Sequence, residues 1–137
     1  MQQQYLITAG LVTWSLWNPL PVYATSVVDQ LLTEYRKQGA ANFTVEAGKK
    51  LFFQEFRDRD SGQVRKCTSC HTEDLRNPGK HAKTGKPIDP LAPSANPQSL
   101  TDLKEINKWL KRNCEWTLGR ECTPQEKGEA LVFIQSQ

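Results

Sequence analysis

Cys67-Thr68-Ser69-Cys70-His71 is the stretch that most limits what this chain can become. Two thiols three positions apart can each bond a vinyl-derived carbon of a porphyrin. The adjacent imidazole can then reach the metal at its centre. Cys-X-X-Cys-His in this order is the attachment pattern of a c-type haem. The tether holds His71 at high effective concentration beside the iron, for which imidazole is a good donor. Two other chemistries use paired cysteines. A thioredoxin-like redox pair needs a surrounding βαβ pattern, and none is visible here. A structural zinc site needs a second pair of ligands at suitable spacing. The reading carried forward is one haem c bonded to Cys67 and Cys70, with His71 on the iron.

Haem is attached to this motif outside the cytoplasm, so the start of the chain matters. Residues 1–24 carry no charged side chain. Residues 5–17 are mostly apolar, then Asn18, Pro19 and Pro21 break any helix. Val22-Tyr23-Ala24 fits a small-X-small cleavage site. A signal peptide over 1–24, cut after Ala24, is expected, and with it a periplasmic protein. The absence of Lys or Arg before the apolar run departs from the usual signal pattern. The alternative, an uncleaved anchor, would have too few apolar residues to span a bilayer comfortably.

A length of 137 residues allows one domain. The apolar share, 37 %, is low for a globular chain. A bound macrocycle would add apolar surface for such a small core to bury. Net charge is +3 and the basic residues are scattered, so nucleic acid is not an expected partner.

The pattern beyond residue 24 is helical. Thr25 or Ser26 can cap a first helix, with Val27, Val28, Leu31, Leu32 and Tyr35 at helical spacing. Residues 25–43 read as an N-terminal helical extension outside the haem core, and 44–137 as the haem domain. Thr44 caps a second helix over 45–56, with Gly48, Phe52 and Phe56 on one face. A mid-helix Gly costs roughly 1 kcal/mol against Ala, so Gly48 predicts close approach of another helix. Residues 58–62 form a turn. Residues 72–99 hold five of the eight prolines and show no apolar periodicity. A loop of that length beside the motif suggests a wrap around the haem edge. Thr101 or Asp102 caps a third helix, whose stripe of Leu103, Ile106, Leu110 and Asn113 should face inward. Thr123-Pro124-Gln125-Glu126 is a capping box that opens the last helix, burying Leu131 and Ile134 with Ala130 or Phe133.

Cys114 and Cys122 remain once the haem thiols are assigned. In an oxidising compartment an even leftover pair forms a disulfide; two buried free thiols are the alternative. The far side of the iron is open. The single Met is Met1, inside the expected signal, so a Met ligand is excluded from the mature protein. The remaining candidates are His81, a Lys, Asn113, or no ligand. Asn113 is an amide on an otherwise apolar face, which suits either a ligand or a side chain bonded to backbone near a helix end.

These residues resemble a known family. Residues 46–53 with Cys67–His71 are similar to class I cytochrome c. The runs 84–88 and 91–97, Trp109-Leu110-Lys111-Arg112-Asn113-Cys114, Leu118–Cys122 and Pro124–Lys127 resemble the sphaeroides haem protein (SHP) and cytochrome c″ group. The resemblance spans roughly residues 44–135. It implies an all-α class I cytochrome c fold around one covalent haem, here with an extra N-terminal helix. It implies Asn113 as sixth ligand, since the residue before the first disulfide Cys is Asn in SHP and His in cytochrome c″. It also implies a Cys114–Cys122 disulfide, and release of the ligand on reduction, which frees a site for oxygen or nitric oxide.

Ligand softness points the same way: a hard amide suits ferric iron better than ferrous. Three functions compete. The first is an electron-transfer cytochrome that binds small ligands when reduced, served by another cytochrome of multihaem c or membrane b type, as monomer or homodimer. The second is a plain six-coordinate carrier, through His81. The third is a haem enzyme acting on peroxide or nitric oxide, which needs a distal acid or base that the chain does not clearly place.

Overall fold

Two helices from opposite ends of the haem domain cross with almost nothing between them. The computed structural model describes residues 25–137 and places this crossing at Gly48. Helix α1 spans Val27–Lys37, α2 Val45–Phe53, α3 Thr68–His71, α4 Leu103–Leu118 and α5 Pro124–Gln135. A Cβ on Gly48 would overlap the Glu129 carbonyl and come within 2.7 Å of Phe133 Cβ on α5. The close approach expected of Gly48 is therefore present. Phe52 and Phe53 of α2 then pack against Phe133, tilted and edge-on, with centroids 5.4 and 6.4 Å away.

The caps explain where the helices begin. Ser26, Thr44 and Asp102 each accept backbone N–H bonds at the starts of α1, α2 and α4. Thr123 and Glu126 form the reciprocal capping box of α5. Gly119, in the left-handed region at φ 72°, ends α4.

Four short strands make two antiparallel pairs. Strands β1 (Phe56–Arg57) and β2 (Val64–Arg65) flank the 58–62 turn; β3 (Gly79–Lys80) and β4 (Pro87–Ile88) lie beyond α3. Phe56 therefore belongs to a strand, not to α2. Helix α2 stops at Phe53, and Gln54 is already extended at ψ 137°. The expected helix over 45–56 is three residues too long because pairing of Phe56 with Arg65 captures that segment.

The core has two parts. Val28, Leu31, Leu32 and Tyr35 of α1 bury themselves with Ile106 and Leu131. Phe52, Leu75, Ala92, Phe133 and Ile134 form the second part, with Cys67 packed against it. The first helix thus builds its own cluster on α4 and α5, apart from the motif. Along α4 the predicted inward stripe holds unevenly. Ile106 is buried and Asn113 half-buried, whereas Leu103 is 43 % exposed. No described helix is long and apolar enough to cross a membrane. The expected signal peptide, residues 1–24, lies outside the described residues.

Candidate functional site

The motif folds as a single helical turn. Cys67 precedes α3, its carbonyl accepts the N–H groups of Cys70 and His71, and the chain reverses at Thr72. Thr72 holds φ 63°, a rare setting for a β-branched residue that costs about 1–3 kcal/mol. It directs the backbone away immediately after the imidazole. Behind the turn, Gly79 of β3 lies against the Cys70 carbonyl, which a Cβ at that position would overlap. Glycine is required there by contact, since no side chain fits between strand and motif.

His71 faces the α2–α5 core. Its ring centroid is 6.1 Å from that of Phe52. Burial strips the imidazole of water and pushes its pKa down to about 4. It is therefore neutral at ordinary pH, the form that donates to a metal. Burial also pushes the Cys67 thiol up to about 11. A redox-active cysteine needs a thiolate at neutral pH, so this environment disfavours a redox pair. Among the described residues no group of three or more His, Cys, Asp or Glu side chains gathers as a ligand set.

Whether a haem suits these residues can be asked of the polar atoms. Four buried side-chain atoms lack a hydrogen-bond partner among the described residues: Tyr35 Oη, Arg65 Nε, Thr68 Oγ1 and His71 Nδ1. Three of these four fall within Arg65–His71, in and beside the motif. Such groups are costly to bury unpaired, and their clustering at one place marks where a polar-edged group belongs. Cys67 and Cys70 are both free and partly exposed. The residues fit the group: two available thiols, a neutral imidazole and a local excess of unpaired donors and acceptors.

Asn113 lies on α4, half-buried, five residues before the helix ends. It caps neither end of α4; Asp102 and Gly119 do. The bonds made by α4 side chains involve Asp102, Glu105, Lys108 and Trp109, not its amide. The reading of Asn113 as a side chain bonded to backbone near a helix end is thereby weakened. The structure joins the next residue, Cys114, to Cys122 in a disulfide with Cα atoms 5.5 Å apart. His81 sits instead in the turn between β3 and β4. Its Nδ1 lies 3.1 Å from the Thr84 N–H and 3.0 Å from the Thr84 hydroxyl.

Arg65 carries no local signature in the chain. Its Nη1 lies 2.8 Å from Asp58 Oδ2 and donates to the Trp116 carbonyl at 2.9 Å. Its guanidinium carbon stands 5.1 Å from the Trp116 ring centre. Nor was the long loop structureless: Leu75 and Ala92 are core residues joined by a backbone bond of 3.0 Å.

A largely buried, neutral imidazole directly after a pair of tethering cysteines, set beside the α2–α5 crossing, defines a class I c-type cytochrome, a protein with covalently bound haem. Comparison with known proteins narrows the class. The chain belongs to the family described as Domain of unknown function (DUF1924), whose model matches residues 38–134, and it groups with SHP and cytochrome c″. It is 39 % identical over 108 residues to cytochrome c-type protein SHP of Cereibacter sphaeroides, covering 79 % of this chain and 82 % of that protein. It is 36 % identical over 85 residues to cytochrome c″ of Methylophilus methylotrophus, covering 62 % of this chain and 59 % of that one. The structure of oxidised SHP, an oxygen-binding cytochrome c, superimposes with a TM-score of 0.72 at 37 % identity, over 83 % of this chain and 100 % of that one. A solution structure of cytochrome c″ from Methylophilus methylotrophus, described as giving insight into haem-ligand detachment, gives 0.69 at 29 %, over 80 % and 93 %.

Proposed function

We propose that this protein is a periplasmic monohaem cytochrome that carries electrons and binds a small diatomic ligand when reduced. Cys67 and Cys70 would hold the haem, with His71 as one iron ligand; Asn113 would be the second ligand in the oxidised protein, free to withdraw on reduction. When bound, the haem supplies a redox-active iron with a sixth position that a small ligand can take.

The observation that carries this reading is the state of Asn113. Its amide is half-buried and engaged in no cap, while the backbone beside it is tied by the Cys114–Cys122 disulfide. A carbonyl oxygen of that kind is a weak, hard donor, better matched to ferric than to ferrous iron. Once released, the Asn113 side chain still offers an N–H that can donate to a ligand on the same face; such donors help decide between binding and electron transfer. SHP is an oxygen-binding cytochrome c and cytochrome c″ a case of haem-ligand detachment, and both support the assignment. Engagement of His81 by Thr84 speaks against the rival ligand.

The test is substitution at position 113. Asn113→His should give a ferric spectrum of bis-imidazole type, and Asn113→Ala a ferric high-spin one, by absorption and electron paramagnetic resonance. Ferric spectra identical to wild type in both variants would remove Asn113 from the iron.

A further inference from the structure

We propose that Arg65 is the positioning residue for Asn113: a cation supplied from β2 that caps the C-terminus of α4 and so fixes how firmly Asn113 reaches the iron. This rests on the assignment of Asn113 as ligand. Helix α4 ends at Leu118, so the carbonyls of its last turn lack intrahelical partners. Trp116 supplies one of them. The negative end of the helix dipole calls for a positive charge, yet the last turn of α4 contains no basic residue.

Arg65 provides both. Its Nη1 donates to the Trp116 carbonyl at 2.9 Å, its guanidinium stands over the Trp116 ring, and Asp58 at 2.8 Å balances its charge. Both side chains of the ion pair are only 17 % exposed, so water competes weakly for these bonds. Asp58 is itself held: the backbone N–H and hydroxyl of Ser61 bond its carboxylate and keep its pKa below the ordinary value.

The placement is what gives this cap a role. Arg65 stands two residues before Cys67, and Trp116 stands three residues after Asn113. One guanidinium therefore ties the segment that enters the haem motif to the helix that carries the ligand on the other side. Asn113 is followed by two restraints, the disulfide at Cys114 and the Arg65 bond at Trp116, neither of which involves its side chain. A backbone held in this way lets the amide detach and return without the helix moving. The guanidinium fork sets distance and angle together, which a flexible ammonium does not.

The experiment compares Arg65→Gln, Arg65→Lys and Asp58→Asn holoproteins by ferric spin state, measured well below their unfolding midpoints. The high-spin fraction should rise several-fold in Arg65→Gln, less in Arg65→Lys, and least in Asp58→Asn, which destabilises the turn but leaves the Trp116 bond. Wild-type spin states in both Arg65 variants would make Arg65 merely structural and overturn the proposal. So would a rise in Asp58→Asn as large as in Arg65→Gln, because spin state would then follow stability alone. If Arg65→Gln does not accumulate, Arg65→Lys decides by the same criterion. Failure of the ligand assignment is separate: it shows as an unchanged ferric spectrum in Asn113→Ala.

Discussion

The two side chains proposed as iron ligands, His71 and Asn113, are held in different ways. His71 is fixed by its own surroundings: Phe52 beside its ring, Gly79 behind the motif, and a burial deep enough to keep the imidazole neutral. Asn113 is half-buried, and what is fixed is its neighbours, Cys114 by a disulfide and Trp116 by Arg65. His71 sits in the helical turn that Cys67 opens and Gly79 packs against, so it cannot leave without moving that turn. A side chain held only through its backbone can rotate at little cost. On the proposed ligation, the contrast would make one face of the iron permanent and the other exchangeable.

The contrast predicts unequal losses. Replacing His71 by Ala should have the largest effect, with recovery of haem-bearing protein falling to a small fraction and both oxidation states altered; the pyridine haemochrome yield measures it. Removing the disulfide in a Cys114→Ser/Cys122→Ser variant comes next. Its loop is short, with a sequence separation of 8, so chain entropy gives about 2.5 kcal/mol of lost stability, read from denaturant midpoints. The ferric spectrum should gain high-spin character while the ferrous spectrum stays as in wild type. A ferrous change of equal size would break the division between the two faces.

The smallest effect is a pH dependence at the start of α5. The Arg120 side chain, then the Thr123 backbone N–H, hold the Glu126 carboxyl down to about 2. A carboxylate with a lowered folded pKa stabilises the fold above its unfolded value and loses that contribution as pH falls. Stability should therefore decline between about pH 4.5 and 2. The pair is partly exposed, so the amount is about 1 kcal/mol. Urea midpoints for wild type and Glu126→Gln across that range should converge at the acid end.

Much of this was legible in the chain because it is local. The Cys67–His71 motif, the caps at Ser26, Thr44, Asp102 and Thr123, and the crossing glycine at position 48 each act within one turn of helix. The disulfide partners followed from the cysteine count. The parts that escaped depend on distant contacts. Phe56 leaves the helical pattern because Arg65 pairs with it. Leu75 and Ala92 enter the core from a proline-rich loop with no period to betray them. Strands of two residues are too short to show alternation. Arg65 caps a helix 51 positions away, and nothing in the sequence near either residue announces the bond.

Release of Asn113 on reduction is the step on which the proposed function depends. Its most direct test is one sample followed by absorption and resonance Raman through reduction and addition of carbon monoxide. The ferric protein should be low-spin, become high-spin when reduced, and then bind carbon monoxide readily. A low-spin ferrous spectrum unaffected by carbon monoxide would contradict that release.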